Sequence, residues 1–342
     1  MNLLKLIKEK IRALFVGPPG CGKTSRIAAA SKAAGCDFYS FRASLSERVD
    51  FGGCLVPDTQ AGVTRTLPME LLHALKSTLK ETVVLLDDLG QAPMDVQAAL
   101  MKLFDDGELP KNVLLWGATN RPADKAGVTA LCEPLRSRFH LAFAIPTPGS
   151  EEKADGATLW GNWTSEVEGW CDWAIDQGFA PELIAWHRST TGRTLYNWKP
   201  HADPAMRLPD FRSWETVGRL LKAGLGDLTH CGAAVGKGFA SEFLSFARLA
   251  DKLASPDQVW IDPLGAPVPD DPSALYLMAS NLSSAVTKPH AGQMCIYMGR
   301  MPRLYAALCA RDAFRRLGAT LSGNKDWQKW FNENQELFAC SK

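Results

Sequence analysis

The clearest chemical pattern in the sequence lies near its N-terminus, in Gly17-Pro18-Pro19-Gly20-Cys21-Gly22-Lys23-Thr24. These residues fit G-x-x-x-x-G-K-[ST], the pattern of a phosphate-binding loop, and they follow an apolar run and precede a strong helix former. Glycines let backbone N–H groups turn toward phosphate oxygens, and the helix start adds partial positive charge. We therefore expect Lys23 to reach the β- and γ-phosphates of a nucleoside triphosphate and Thr24 to hold Mg²⁺. The predicted cofactor-binding residues are Gly17, Pro18, Pro19, Gly20, Cys21, Gly22, Lys23, Thr24 and Ser25.

Two adjacent carboxylates, Asp87 and Asp88, follow the apolar residues 83–86. A parallel strand brings its carboxyl end to the same edge of the sheet as the phosphate loop. We therefore expect Asp87 to join the Mg²⁺ ligands and Asp88 to orient or deprotonate an attacking water. The alternative is a strand that ends in a solvated Asp-Asp turn.

Two further candidates for catalysis follow along the chain. Asn120 is the polar amide at the end of the strand-like stretch 114–120 and is expected to hold the same water against the γ-phosphate. Arg138 precedes another apolar run and is a candidate arginine finger, which would act on the nucleotide of a neighbouring subunit. Taken alone, Arg138 would be interpreted as a solvated surface arginine.

Short apolar strands alternate with helical stretches up to about residue 146, which predicts a mainly parallel sheet covered on both faces. The predicted strands are residues 12–16, 38–43, 82–87, 113–118 and 141–145. Residues 50–68 predict a hairpin or extended loop, and 69–80 a helix. The turn-rich residues 146–150 predict a domain boundary, after which helices dominate: 214–223, 240–253, 273–286, 302–317 and 325–337. The five glycines in residues 224–238 predict a loop or linker. On the helix predicted for 302–317, we expect a solvated face beside Asp312 that carries Arg311, Arg315 and Arg316.

Composition excludes several classes of protein. A net charge of +1 provides no general attraction to nucleic acid or to an acidic membrane surface. The nine cysteines are odd in number and form no C-x-x-C pair, which argues against a disulfide framework and a zinc site. No apolar run suits a signal peptide or a membrane span. We therefore predict a reduced, cytoplasmic protein that does not associate with membranes.

In their order along the chain, these motifs resemble those of the AAA+ ATPases, and more narrowly the MoxR branch. The likeness rests on residues 86–93, 96–101 and 118–122, and on residues 50–68, which lie where that branch carries an inserted loop. The resemblance implies ATP and Mg²⁺ as cofactors, a homo-hexameric ring and a protein substrate or activator. MoxR-type proteins commonly act with a von Willebrand A-domain partner. In the inserted loop, Phe51, Leu55 and Val56 would contact the substrate.

The resemblance also implies an architecture. It is an α/β fold: a P-loop AAA+ αβα sandwich with a parallel five-stranded sheet in residues 1–148, a helical lid in 149–228 and a helical C-terminal extension in 229–342. Residues 209–215 resemble the start of the lid helix whose arginine contacts the γ-phosphate. Arg212 is therefore the sensor 2 candidate, with Arg303 as the alternative.

The sequence differs from the family pattern at Asp87-Asp88, where most members of the family have Asp-Glu. Asp88 is one methylene shorter than glutamate, so slow turnover is expected, and a nucleotide-gated scaffold is one alternative function. A nucleic-acid motor or loader is another. The near-zero charge, and the lack of a basic aromatic stripe or a helix-turn-helix pattern in the sequence, argue against it.

Overall fold

The computed structural model describes residues 3–336, apart from 68, 106, 129–130, 150–162, 202 and 204–205. The chain divides into two compact units, Met1–Gly161 and Asn162–Lys342. Most of the predicted linker at 146–150 is described, but residue 150 is not. The domain limits predicted at residues 148 and 228 stay predictions.

The first unit is organised around a five-stranded sheet in the order β2-β5-β6-β1-β7, and its neighbouring strands are parallel. This confirms the predicted sheet. Its central strands are apolar over most of their length because helices cover both faces of such a sheet. Two more strands, β3 and β4, pair separately as an antiparallel hairpin. The strands are β1 Ala13–Val16, β2 Asp37–Arg42, β3 Cys54–Asp58, β4 Val63–Leu67, β5 Thr82–Asp87, β6 Val113–Thr119 and β7 Leu141–Ala144.

Helices of the first unit connect these strands and cover the sheet. Trp116 on β6 is fully buried, packs edge-on against Phe15 at 5.2 Å between ring centroids, and donates its indole N–H to the Ile11 carbonyl at 2.8 Å. This bond satisfies the polar atom of a large core side chain. The helices are α1 Leu3–Lys8, α2 Lys23–Ala33, α3 Arg48–Gly52, α4 Glu70–Ser77, α5 Met94–Met101 and α6 Glu133–Arg136.

The segment predicted as a hairpin or extended loop contains a helical turn, α3, followed by the β3–β4 hairpin. Leu55 and Val56 are exposed, Leu55 by 74%. Phe51, however, is buried and packs edge-on against Phe41 at 5.9 Å. The prediction that Phe51 contacts a substrate is therefore wrong, because its ring is buried in the core of the first unit.

The second unit is helical in all the regular structure that is described. Its core centres on α13, which packs against both α8 and α15. This core includes the fully buried side chains of Met278, Leu282 and Tyr297. The helices are α7 Trp163–Asp176, α8 Pro181–Ser189, α9 Phe211–Lys222, α10 Leu228–Val235, α11 Lys237–Ala247, α12 Pro256–Ile261, α13 Pro272–Ala285, α14 Ala291–Met298, α15 Arg303–Leu317, α16 Ala319–Ser322 and α17 Lys325–Glu333.

One predicted loop is a helix. Residues 224–238 contain α10, which begins where the Asp227 carboxylate accepts the backbone N–H groups of Thr229 and His230. The helix ends at Gly236, whose φ of 88° is easily adopted only by glycine. Four of the five glycines, at 224, 226, 236 and 238, lie outside α10. A high glycine content over residues 224–238 therefore did not mean that the whole segment is a loop.

A cluster of ion pairs joins α7, α8 and α15. Arg188 and Asp312 form a two-bond pair, and their side chains are only 2% and 4% exposed. Arg188 also donates to Glu168 at 3.2 Å, and Arg311 donates to the same carboxylate at 2.5 Å. Burial alone would raise the pKa of Glu168, but the two guanidinium groups hold it below its ordinary value. The predicted solvated face beside Asp312 is thus largely an intramolecular contact.

Among the residues that the structure describes, no helix has the length and apolar character needed to cross a lipid bilayer.

Candidate nucleotide-binding site

The phosphate loop spans the turn between β1 and α2. Gly20 and Gly22 have φ values of 68° and 84°, in the left-handed region that favours glycine. Gly17 donates its N–H to the Thr119 carbonyl at 3.1 Å, and a Cβ on Gly17 would lie 2.6 Å from Ile145 Cβ. The start of the loop is therefore fixed against the residues that follow β6 and β7.

Lys23 is the first residue of α2, and its side chain is buried. Its ammonium group donates to the carbonyls of Gly17 and Pro18, both at 3.0 Å, and to Asn120 Oδ1 at 2.8 Å. These acceptors are neutral oxygens, so they orient the ammonium group without neutralising its charge. Lys23 and Asn120 are predicted site residues 97 positions apart, and the fold brings them into contact.

Thr24 and Asp87 also meet. The Thr24 hydroxyl donates to Asp87 Oδ2 at 2.6 Å, which joins the first turn of α2 to the end of β5. A hydroxyl beside a carboxylate is the oxygen-donor set that Mg²⁺ takes in phosphate-loop proteins. The side chains present therefore fit the predicted Mg²⁺. The loop residues Pro18 and Cys21 are buried, and Ser25 is exposed on the first turn of α2.

Asp88 has an unusual backbone conformation, with φ 55° and ψ 35°. Few residues other than glycine adopt it, and such strain is concentrated at functional sites. The Asp88 N–H donates to Asp87 Oδ1 at 3.0 Å, and a 3₁₀ turn over Leu89–Gln91 follows. The side chains of Asp87 and Asp88 are both partly buried.

Thr119 is a further residue of the candidate site, and no motif in the sequence indicated it. Its hydroxyl accepts the Gly90 N–H at 3.1 Å and donates to the Asn120 carbonyl at 3.2 Å, while its own carbonyl accepts the Gly17 N–H. Thr119 thereby connects the turn after Asp88 to the end of β6 and to the phosphate loop. Its position directly before Asn120, at the end of an apolar strand, was the available clue.

Arg138 lies just after α6. Its Nη1 donates to Asp105 Oδ1 at 2.5 Å, and the two side chains are 38% and 52% exposed. Arg136, two residues earlier, pairs with Glu133 at 2.9 Å on the same short helix. Within the first unit, Arg138 thus has an intramolecular partner, and a role in a neighbouring subunit stays a prediction.

The two sensor 2 candidates lie in the second unit. Arg212 is exposed in the first turn of α9, next to the capping box formed by Asp210 and Ser213. Arg303 begins α15 and pairs with Glu336 at 2.9 Å. A contact of either arginine with the nucleotide stays a prediction.

Comparison with known proteins identifies the first unit. Residues 13–147 match the model of the family "ATPase family associated with various cellular activities (AAA)". This range includes the phosphate loop, the acidic pair, Asn120 and Arg138.

Curated relatives match a similar part of the chain. The chain is 28% identical over 150 residues to the outer mitochondrial transmembrane helix translocase of Xenopus tropicalis, covering 40% of this chain and 38% of that protein. It is 26% identical over 153 residues to the mitochondrial sorting homolog of Caenorhabditis elegans, covering 41% and 40%. The chain thus spans about two-fifths of the length of these relatives. The predicted cytoplasmic location is contradicted, because these relatives are named as mitochondrial proteins.

Among solved structures, the chain is similar to the RuvB Holliday junction branch migration motor of Thermotoga maritima. The alignment covers 97% of this chain and 84% of the RuvB chain. The identity is 14% and the TM-score is 0.33, too low to support an argument about the arrangement of the whole chain. The family match is independent of this alignment, and it agrees with the parallel sheet and the phosphate loop. Residues 13–147 are therefore similar to the ATPase domain of the AAA family, a domain that binds nucleotides.

Proposed function

We propose that this protein is an ATP-hydrolysing ring ATPase of the MoxR type that remodels or activates a protein partner. The observation that carries the proposal is the meeting of Lys23 with Asn120, and of Thr24 with Asp87, at the carboxyl edge of one sheet. A phosphate-holding cation, a metal-ligand pair and a polar amide are the parts that phosphoryl transfer to water requires.

Each of these residues has a proposed role. The loop amides and Lys23 bind the phosphates, and Thr24 with Asp87 holds Mg²⁺, which when bound neutralises charge on the phosphate oxygens. Asn120 orients the attacking water, and Asp88 accepts its proton. Lys23 exchanges neutral oxygens for phosphate oxygens when ATP binds, which favours binding because no carboxylate has to be displaced from those contacts.

Two observations support a polypeptide as the substrate. Relatives of the AAA domain are named as a translocase of transmembrane helices and as a sorting protein. The β3–β4 hairpin lies at residues 54–67, where the MoxR branch carries its inserted loop. In this proposal six subunits form a ring, Arg138 completes the neighbouring site, and a von Willebrand A-domain protein is the candidate partner. The proposed domains are the ATPase core to residue 148, a lid to 228 that includes Arg212, and a helical extension.

A slow, nucleotide-gated scaffold is the second candidate function. It is favoured by Asp88, which is shorter than glutamate and held in a left-handed backbone conformation. Such a scaffold would bind ATP as tightly as an ATPase but release phosphate very slowly.

Variants of Lys23 and Asp88 test the site. We expect Lys23→Ala to abolish ATP binding, because it removes the ammonium group that contacts the β- and γ-phosphates. Asp88→Asn should bind ATP normally and fail to hydrolyse it, because the amide cannot accept the proton of the attacking water. Calorimetric titration with ATP and steady-state phosphate release measure the two properties separately.

The outcomes of this test separate the two functions. Full activity of Asp88→Asn would show that the role assigned to Asp88 is wrong. Tight ATP binding by the parent protein, with phosphate release no faster than that of Asp88→Asn, would favour the scaffold.

The hairpin variant tests the substrate contact. Cys54 and Leu67 are paired across the base of the hairpin, so a short Gly-Ser link can replace residues 54–67 without moving its ends. We expect assembly and basal hydrolysis within a few-fold of normal, because the hairpin carries none of the nucleotide-site residues. Action on a protein that co-purifies with Asp88→Asn in ATP should be lost.

Leu79→Ser is the matched control, since Leu79 is a highly exposed apolar side chain of the same unit outside the hairpin. This control should keep full action on the captured protein. If the shortened protein also keeps it, the hairpin is not the effector and the C-terminal helices become the better candidate.

A further inference from the structure

The residues next to Arg138 and Asp105 belong to the core of the first unit. Each residue has a buried aromatic neighbour in sequence, Phe104 before Asp105 and Phe139 after Arg138. These two rings pack edge-on at 5.1 Å between centroids. The Arg12 guanidinium lies 5.3 Å from the centroid of the Phe104 ring and donates to the Phe104 carbonyl at 3.4 Å, which adds a second contact to this turn. Packing therefore sets the backbone at both ends of the ion pair.

The pair itself lies at the surface. Both side chains are more than a third exposed, and the contact runs through one guanidinium nitrogen, Nη1, and one carboxylate oxygen. An exposed ion pair of this kind shifts an equilibrium by about five-fold at most. A guanidinium that reaches the phosphates of a neighbouring nucleotide accelerates hydrolysis by roughly 10³–10⁵. Packing thus sets the geometry of the Arg138–Asp105 pair, but the pair is weak enough for Arg138 to leave Asp105 for a phosphate.

We propose that Asp105 is an intramolecular latch for the candidate arginine finger: it holds Arg138 in the isolated subunit and yields it to the neighbour's phosphates on assembly. The inference rests on the proposed role of Arg138. A carboxylate and a γ-phosphate compete for the same guanidinium and repel each other, so Asp105 has to release Arg138 before the shared site is complete. The latch limits hydrolysis by subunits that are only partly assembled.

The test compares two variants that each remove one surface carboxylate. Asp105→Asn keeps the shape of the side chain and removes its charge. Glu133→Gln does the same to the partner of Arg136, another exposed arginine two residues from Arg138. Phosphate release is measured with ATP and Mg²⁺ across a range of subunit concentrations. Below half-maximal assembly, we expect Asp105→Asn to hydrolyse ATP two- to five-fold faster than the parent protein and to reach half-maximal activity at a lower concentration.

Glu133→Gln should match the parent protein at every concentration, and 0.5 M NaCl should reduce the difference caused by Asp105→Asn, because salt screens exposed charges. A rate for Asp105→Asn equal to or below that of the parent overturns the latch. An equal rise in Glu133→Gln also overturns it, because surface charge in general would then be responsible.

Arg138→Ala, measured in parallel, distinguishes the two levels of the inference. If it lowers hydrolysis while Asp105→Asn has no effect, only the latch is wrong. If Arg138→Ala leaves hydrolysis unchanged, the finger assignment is wrong and the latch falls with it.

Discussion

Replacing Arg138 by alanine is expected to lower steady-state ATP hydrolysis by roughly 10³-fold or more while ATP binding stays nearly intact. Arg138 lies after α6, away in sequence from the loop that is predicted to contact the phosphates, so its own subunit should still bind nucleotide. Its charge would act instead on the transition state in the neighbouring subunit. Phosphate release and ATP titration of the same preparation measure the two effects, and Arg136→Ala is the control that removes a nearby exposed arginine.

Mixed rings make this prediction specific to a shared site. Lys23→Ala subunits lack a functional phosphate loop but keep Arg138, whereas Arg138→Ala subunits have the reverse combination. We expect mixtures of these two inactive proteins to recover part of the activity, since one supplies the arginine and the other the intact loop. If both variants assemble normally and no ratio restores hydrolysis, the site is not shared between subunits.

The largest expected effect on stability comes from the second unit. Arg188→Met leaves the buried carboxylate of Asp312 without its two-bond partner, and breaking a buried pair in this way costs about 3–5 kcal/mol. Because Arg311 lies 3.3 Å from Asp312 and compensates in part, we expect a loss near 3 kcal/mol. Urea unfolding followed by tryptophan fluorescence measures this loss.

Two further variants identify the cause of that loss. Arg315→Met removes a guanidinium from the exposed pair with Asp176 and should cost less than about 1 kcal/mol. The double variant Arg188→Met/Asp312→Leu should recover much of the loss, because it leaves no uncompensated charge at this position. If the double variant is no more stable than Arg188→Met, lost packing rather than an unpaired carboxylate explains the effect.

Much of the first unit could be predicted from the sequence because its decisive features are local. Strands buried on both faces are apolar over most of their length, so β5 and β6 can be recognised in the sequence as apolar runs that end in polar residues. The phosphate loop is defined by glycines at fixed spacing, and Gly20 and Gly22 adopt the backbone angles that the motif requires.

Contacts between distant residues could not be predicted in this way. Asp105 and Arg138 are 33 residues apart, and Arg188 and Asp312 are 124 apart, so neither pair leaves a periodic pattern. Asp312 lies among arginines in the sequence, which suggested a solvated face, but tertiary packing buries it. Similarly, α10 could not be predicted from the number of glycines in residues 224–238. That number does not show which glycines lie outside the helix or at its end.

The burial of Phe51 gives the hairpin a mechanical consequence. Each strand of the hairpin has five residues, so the hairpin extends roughly 17 Å at about 3.3 Å per residue. Phe51, three residues before the hairpin, packs against Phe41 on β2, and β2 pairs along its length with β5, which ends in Asp87. A load applied at the far end of the hairpin would therefore act, through the Phe51–Phe41 contact and β2, on the strand that carries Asp87, the proposed Mg²⁺ ligand.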